Sequence, residues 1–261
     1  MDILKKIVAD KKREIHLKKA VIPLAQLENS YLFQREPLSL ANVLRKSETG
    51  IIAEHKRRSP SKSVINQNLS VQDIAIGYMN AGACGMSVLT DAKYFGGSLD
   101  DLLIARAAAD FPLLRKEFII DEYQVIEARA YGADTILLIG AILTRKQIKI
   151  LSELAKSLGM DVLLEVHNNE ELVNSIMPSL DMLGVNNRNL KTFEVSLDTS
   201  AELSKQIPDE FVKVSESGIS SVAAIKMLRD LGFQGFLVGE NFMKTENPGE
   251  SAREFINEMA R

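Results

Sequence analysis

The stretch Gly159-Met160-Asp161-Val162-Leu163-Leu164-Glu165 contains the local pattern that decides the fold of this chain. A glycine suited to the left-handed position that closes a helix is followed by a short apolar run, and the run ends in a carboxylate. Strands that are apolar throughout, rather than alternating, are buried on both faces, as in parallel sheets. The stretch therefore predicts the end of a helix, a buried parallel strand and a polar strand end.

The same pattern recurs along the chain. Similar glycines precede apolar runs at Gly82, Gly132 and Gly232, and most of the apolar runs end in charged or amide side chains. We expect strands near residues 50, 85, 112, 134, 161, 182, 212 and 235, with helical periodicity between them. Eight such units predict an α/β fold, the (β/α)8 TIM barrel, whose polar strand ends gather at one rim. An open doubly wound sheet is the alternative, but the first strand leads into Glu54–Ser61 without a glycine-rich fingerprint.

Length and composition also suit one barrel. The chain has 261 residues, of which 46% are hydrophobic and 26% charged, and a barrel typically needs roughly 250. A net charge of −3 offers no basic field for nucleic acid. No apolar run is long enough to span a membrane, and no signal-peptide pattern opens the chain. We expect a single domain, residues 1–261, that is cytoplasmic and has no nucleic-acid or membrane partner.

The residues before the first strand form an N-terminal helical extension, 1–48, to a barrel of residues 49–261. Its helical patterns cover Asp2 to about Lys19, Leu24–Ser30 and Leu38–Lys46. The extension could cap the floor of the barrel or cover part of its mouth. We interpret the lysines of the first helix as a solvated face.

The loops after strands 7 and 8 have the features of a phosphate site. In these barrels such loops bind phosphate through backbone N–H groups and the N-terminus of a short helix. Glycine in each loop lets an anion approach the backbone closely, and the Ser61 hydroxyl after strand 1 adds a donor. The candidates for phosphate binding are Ser59, Gly218 and Gly239, and the neighbouring Ser217 and Glu240 are candidates for substrate binding.

Two lysines and two glutamates are candidates for acid–base chemistry. Lys56 and Lys116 follow strands 1 and 3, where partial desolvation and neighbouring cations are expected to lower their pKa values. Glu54 and Glu165 end strands 1 and 5, across the mouth from one another. Each glutamate could pair with a lysine, and two such pairs in one pocket favour acid–base work over a purely structural role.

Strand 6 ends in hydrogen-bond donors, Asn186 and Arg188, of which Arg188 is suited to a carboxylate. The histidines are weaker candidates. His55 should point away from the mouth, whereas His167 lies two residues beyond Glu165 and near the rim. No pair has the spacing of metal ligands, and we predict neither a metal nor a cofactor.

Seven ordered motifs resemble those of the indole-3-glycerol-phosphate synthase family. They are Ile51–Lys62, Ser87–Thr90 with Tyr94–Ser98, Leu114–Ile119, Leu164–His167, Gly184–Leu190, Ser215–Ile219 and Phe236–Glu240. The resemblance covers nearly the whole chain and implies a carboxy-lyase of tryptophan biosynthesis. Such an enzyme closes the indole ring of 1-(2-carboxyphenylamino)-1-deoxyribulose 5-phosphate, a small phosphorylated substrate, and releases carbon dioxide and water.

The resemblance also implies roles for individual residues. Lys116 would protonate the ribulose carbonyl, and Glu165 would stabilise the cationic intermediate or assist proton removal. Lys56 would engage the substrate carboxylate with help from Arg188. The residues implied to orient lysine and substrate hydroxyls are Glu54 and Asn186. Those implied to line the anthranilate pocket are Phe95, Phe118, Leu137, Leu190, Phe193 and Val238.

Two other functions are alternatives to this one. Phosphoribosylanthranilate isomerase would need a cysteine and an aspartate at strand ends, but the single cysteine, Cys84, begins its strand and is interpreted as a buried apolar residue. A barrel that only binds a phosphorylated ligand would not need both lysines and both glutamates at the rim. At 261 residues we expect no fused isomerase domain.

Overall fold

A computed structural model describes residues 3–59, 64–66, 68–190 and 192–259 of the chain. Within this part, eight parallel strands close into a barrel in chain order, with the last strand paired to the first. The strands are β1 (Ile51–His55), β2 (Gly85–Leu89), β3 (Leu113–Lys116), β4 (Thr135–Ile139), β5 (Asp161–Val166), β6 (Met182–Asn186), β7 (Val212–Glu216) and β8 (Gly235–Val238). The predicted (β/α)8 barrel is confirmed, and the open-sheet alternative is wrong.

Helices precede, connect and follow the strands. They are α1 (Ile3–Val21), α2 (Leu24–Glu28), α3 (Leu40–Lys46), α4 (Val71–Asn80), α5 (Ala92–Phe95), α6 (Leu99–Ala108), α7 (Glu122–Ala130), α8 (Arg145–Ser157), α9 (Asn169–Ser175), α10 (Asp198–Ser204), α11 (Val222–Asp230), α12 (Glu240–Met243) and α13 (Pro248–Met259). Local sequence sets where they begin. At α8, for example, Thr144 and Gln147 form a reciprocal capping box. Among the described helices, none combines the length and apolar character needed to cross a membrane.

Strand β5 illustrates how the barrel places its polar ends. Side chains alternate along a strand, so Val162, Leu164 and Val166 pack outward against the helices. Leu163 points inward and packs in the barrel interior. Glu165 lies two residues further on and shares that inward direction, at the carboxyl end of the strand. The inward carboxylates and lysines of the other strands reach the mouth for the same reason.

Helix α3 closes the floor of the barrel, which is the end formed by the amino ends of the strands. Leu40 and Leu44 are fully buried in the apolar cluster that fills the barrel interior. The Ser39 hydroxyl and the Ala41 backbone N–H each donate to Asp161 Oδ2 at 2.9 Å. Part of the N-terminal extension is therefore a component of the core.

Helix α1 lies against the mouth, where Ile3 and Ile7 contribute to the wall of a cavity. Lys11 is 2% exposed, and its Nζ lies 2.9 Å from Asp91 Oδ2 and 3.1 Å from Glu117 Oε1. Burial disfavours the charge, but these carboxylates outweigh it and raise the pKa of Lys11. The interpretation of the α1 lysines as a solvated face is wrong for Lys11, which fixes the helix to the barrel.

Candidate active site

The mouth of the barrel contains a cavity of about 400 Å³, a size usual for small-molecule sites. Its wall combines the carboxyl ends of strands, the loops that follow them and the start of α1. The predicted site residues that line this cavity are Glu54, Lys56, Ser59, Phe95, Lys116, Phe118, Leu137, Glu165, Asn186, Arg188, Leu190, Phe193, Ser217, Gly218, Gly239 and Glu240. Closure of the barrel thus brings together side chains that are far apart in the sequence.

The prediction that Val238 lines the cavity is wrong. Phe236 and Val238 pack outward in the layer between the barrel and the helices. Leu237, between them, faces inward and contributes to the cavity wall. Because both faces of a barrel strand are apolar, the sequence does not reveal which set of alternating residues points inward.

Lys116 lines the cavity and lies between two carboxylates. Its Nζ is 3.2 Å from Glu165 Oε2 and also donates a hydrogen bond to Glu216 Oε2. Glu216, which ends β7 as Glu165 ends β5, is not among the site residues predicted from the sequence. Besides its position at a strand end, a second feature that points to Glu216 is Gly184 on the neighbouring strand. An added Cβ at Gly184 would lie 2.4 Å from Glu216 Oε1. The glycine leaves the space that this carboxylate occupies.

The three charges in this cluster determine one another's ionisation. Burial opposes the charge of Lys116, but Glu216 and Glu165 outweigh it and raise the lysine pKa. The expectation of a lowered pKa is therefore wrong for Lys116. Burial also opposes the charge of Glu165, yet Lys116, His167 and Asn186 hold its pKa well below the usual range. For Glu216, burial and the charge of Glu165 outweigh Lys116 and raise the pKa to about 7.

A second lysine–glutamate pair lies on β1 and the residue after it. Lys56 Nζ is 2.6 Å from Glu54 Oε1, and Glu54 is buried while Lys56 is half-buried. Gly239, after β8, makes room for this pair, because an added Cβ would lie 2.5 Å from Glu54 Oε1. The cavity therefore contains two lysine–carboxylate sets, and Glu54 of the second set also acts on the charges of Lys116 and Glu216 in the first.

The end of β6 and the loop after it place Asn186 and Arg188 beside the cluster of Lys116, Glu165 and Glu216. Asn186 Nδ2 donates to Glu165 Oε1 at 3.2 Å, and Asn186 Oδ1 accepts a hydrogen bond from the Arg188 backbone N–H at 3.0 Å. Arg188 Nη1 in turn donates to the Phe193 carbonyl at 3.3 Å. Phe193 has a φ of 61°, which is strained for a bulky residue and typical of functional loops.

The loop after β7 has a backbone suited to an anion. Ser217 and Gly218 have φ values of 68° and 78°, and the left-handed conformation is unusual for serine. Asn187 supports this conformation, because its Nδ2 donates to the Glu216 and Ser217 carbonyls at 3.0 and 3.1 Å. Ser59 borders the same cavity, whereas Ser61 lies outside the described residues.

An apolar wall occupies another part of the cavity. The rings of Phe95 and Phe118 lie 6.0 Å apart between centroids and are tilted by 40°. Leu137, Leu190 and Ile7 of α1 line the same cavity with apolar side chains. The cavity therefore offers an aromatic-binding surface, a group of lysines and carboxylates, and an anion-binding loop to a single ligand.

The single cysteine is not part of this arrangement. Cys84 immediately precedes β2, at the floor of the barrel, and its Sγ donates to Ser47 Oγ. Burial raises the pKa of its thiol. The described residues contain no group of three or more His, Cys, Asp or Glu side chains arranged to hold a metal ion. The isomerase alternative would need a cysteine at the mouth, so this geometry disfavours it.

Comparisons with known proteins agree with the geometry. The family model described as indole-3-glycerol phosphate synthase matches residues 4–255. The chain belongs to this family. An indole-3-glycerol phosphate synthase of Bacteroides thetaiotaomicron is 48% identical over 257 residues, covering 98% of both chains. The synthase of Chromobacterium violaceum is 46% identical over 254 residues and 96% of both chains.

Solved structures with this fold extend beyond the synthase family. The crystal structure of KGPDC from Streptococcus mutans superposes with a TM-score of 0.63 and covers 81% of this chain and 97% of that one. Its sequence identity is only 14%, so the likeness concerns the fold alone. The synthase assignment therefore rests on the sequence relatives and on the groups in the cavity.

Proposed function

We propose that the cavity at the barrel mouth binds 1-(2-carboxyphenylamino)-1-deoxyribulose 5-phosphate and that the protein converts it to indole-3-glycerol phosphate. Family membership makes the enzyme a carboxy-lyase of tryptophan biosynthesis. The observation that carries the proposed mechanism is the position of Lys116, held by Glu165 and Glu216 in a cavity that also has an apolar wall and an anion-binding loop.

The parts of the cavity match the parts of this substrate. The phosphate would bind the backbone of Ser217, Gly218 and Gly239, with Ser59 and Glu240 at the edge of that region. The anthranilate ring would pack on the apolar wall of Phe95, Phe118, Leu137 and Leu190. Holding both ends of a flexible molecule brings the aryl carbon close to the ribulose carbonyl. Such positioning can greatly lower the activation barrier for ring closure.

Ring closure needs a proton at the carbonyl oxygen as the aryl carbon attacks. Lys116 is an ammonium at neutral pH, as a general acid must be, although the carboxylates that raise its pKa also make it a weaker acid. The attack leaves a positive charge on the anthranilate nitrogen system, which the ionised Glu165 would stabilise. Loss of carbon dioxide then restores the aromatic ring, and Asn186 holds Glu165 in place throughout.

Dehydration completes the indole and needs one acid and one base. The Lys56–Glu54 pair contains both and lies beside the Lys116 cluster, where Glu54 also acts on the charges of Lys116 and Glu216. We assign it to this step, with Lys56 also engaging the substrate carboxylate beside Arg188 before decarboxylation. On this proposal the protein acts in the cytoplasm on a small phosphorylated substrate. It needs no metal or cofactor and binds neither nucleic acid nor a membrane.

The proposed acid is tested by Lys116→Met, which removes the ammonium and keeps most of the side-chain volume. We expect kcat to fall about 10²–10⁴-fold, the usual contribution of a general acid, with substrate binding largely kept. The assay follows indole fluorescence in purified protein without added metal. Lys149→Met is the matched control, because Lys149 is an exposed lysine of α8, and it should leave the rate unchanged.

Two results would contradict the proposal. Wild-type protein that forms no fluorescent product after long incubation would reject the activity. A Lys116→Met variant that turns over at a near-normal rate would reject Lys116 as the acid while leaving the activity intact.

A further inference from the structure

His167 contacts the carboxylate of Glu165 on the side away from Lys116. Its ring is about nine-tenths buried, with Nε2 3.3 Å from Glu165 Oε1 and Nδ1 3.1 Å from Glu171 Oε2. The Nε2 contact is an ion pair rather than an aligned hydrogen bond, because Nε2 has no hydrogen-bond partner of good geometry among the described residues. The imidazole thus bridges one carboxylate of the cavity and one of helix α9.

The outer carboxylate is held firmly in place. Glu171 Oε2 also accepts a hydrogen bond from the His167 backbone N–H at 2.9 Å, and its Oε1 accepts one from Asn168 Nδ2 at 2.8 Å. Asn168 is the N-cap of α9, so the helix start and the end of β5 are joined through Glu171. The histidine is consequently fixed from its outer side.

The charged groups around the ring are few. Glu165 faces it from β5 and Glu171 from α9, and Lys116 lies beyond Glu165 on the other oxygen. The turn Gly140–Ile142 packs near these residues, since an added Cβ on Gly140 would lie 3.4 Å from the Glu165 carbonyl oxygen and 3.5 Å from Glu171 Cβ, but it brings no titratable side chain. Burial opposes a charge on His167, yet the two carboxylates outweigh it and raise the pKa to about 10.

We propose that His167 is a positioning residue: as an imidazolium held by Glu171, it keeps Glu165 ionised and directs the Oε2 atom toward Lys116 and the substrate. This inference rests on the proposed role of Glu165. It goes beyond that role, because it makes the charge of Glu165 depend on His167, a residue placed outside the substrate contacts. Without the cation, Oε1 would keep only the Asn186 amide, and the pKa of Glu165 would rise because Lys116 alone would then oppose the effect of burial.

The charge on His167 can be measured without any assay of activity. The chain contains three histidines, so ¹⁵N resonances of the full protein can be assigned with single histidine-to-glutamine variants. We expect His167 to stay protonated from about pH 5 to about pH 9, well above the ordinary range of histidine. His55 is an internal contrast, since burial and Arg57 lower its pKa to about 4. Loss of the His167 proton below pH 7 would overturn the proposal whether or not the proposed activity exists.

Kinetics test the positioning role separately. His167→Gln should lower kcat about 10- to 100-fold with little change in KM, because the substrate contacts remain while the reacting geometry is disturbed. The acidic limb of the kcat/KM profile should move to higher pH, because Glu165 loses a neighbouring cation and its pKa rises. His167→Lys restores a cation and should recover part of the rate. His16→Gln is the control, since His16 is an exposed residue of α1.

The outcomes separate positioning from a merely structural role. A variant that is less stable but has the wild-type kcat and pH profile would overturn the inference. So would a His167→Lys rate no better than that of His167→Gln in two equally folded proteins. Absence of turnover in wild-type protein would instead reject the proposed function, and the NMR result would still decide the charge of His167.

Discussion

At the scale of single residues, the cavity contains more carboxylates than lysines around its centre. Glu54, Glu165 and Glu216 share this space with Lys56 and Lys116. The excess negative charge is most costly at Glu216, which is 1% exposed and whose Oε1 has no hydrogen-bond partner among the described residues. Groups placed at such a cost are typical of sites selected for activity rather than stability.

Glu216→Gln tests this cost. The pKa of Glu216 is raised from 4.5 to about 7, so its stabilising contribution is present below pH 4.5 and lost as the pH rises through 7. The neutral amide should therefore raise Tm at about pH 8 by roughly 2–4 °C, while leaving Tm at about pH 4 nearly unchanged and lowering kcat. Calorimetry at both pH values checks this. An equal loss of stability at both pH values would contradict the prediction. Glu153→Gln is the control, because Glu153 is an exposed residue of α8.

At the scale of elements, α1 contributes to the site although it precedes the barrel. Its hydrophobic residues border the cavity, and Lys11 joins it to Asp91 and Glu117 in the loops after β2 and β3. Glu117 directly follows Lys116 and also accepts a hydrogen bond from Thr90 Oγ1 at 2.9 Å. One helix thus links the wall of the cavity to the segment that holds the proposed acid.

Lys11→Met should both destabilise the protein and weaken substrate binding. Removing Lys11 leaves the buried Asp91 without its cation and leaves Glu117 with only the more distant Arg115, and breaking a buried ion pair typically costs about 3–5 kcal/mol. A less firmly held α1 should raise KM, because Ile3 and Ile7 line the cavity. Urea unfolding and steady-state kinetics measure the two effects. Lys12→Met, at the exposed neighbouring position, should change neither, and an unaltered KM in Lys11→Met would disprove the link between α1 and binding.

At the scale of the whole molecule, the two ends of the barrel have different tasks. The mouth contains the charged cluster and the cavity, whereas α3 packs into the floor and completes the core. In (β/α)8 enzymes the carboxyl ends of the strands carry chemistry and the opposite end contributes stability. The N-terminal extension takes part in both, through α1 at the mouth and α3 at the floor.

Leu44→Ala separates these tasks. Leu44 is 1% exposed, and truncating a buried leucine typically costs about 2–5 kcal/mol of folding stability. We expect the midpoint of urea unfolding to fall while kcat and KM of the folded protein stay unchanged. Val43→Ala is the control on the same helix, because Val43 is 37% exposed. A marked change in kcat would show that the floor and the mouth are coupled.

The sequence by itself determined the barrel and the location of the site, because helix-closing glycines, buried strands and polar strand ends are local patterns that repeat. It led to wrong expectations where the answer depended on distant neighbours. The orientation of Val238 depends on which face of β8 lies inward, and Glu216 gains its importance only beside Lys116. The burial of Lys11 depends on Asp91 and Glu117, more than 70 positions away.

Only the tertiary structure decided the protonation of the site. The position of Lys116 at a strand end predicts a lowered pKa, yet the pKa is raised because Glu216 and Glu165 reach the lysine from other strands. His167 is charged for a similar reason, since Glu165 and Glu171 reach it from two elements. The hydrophobic pattern can be read from the order of residues along the chain. The energy of a buried charge instead depends on which groups the fold brings within a few ångströms.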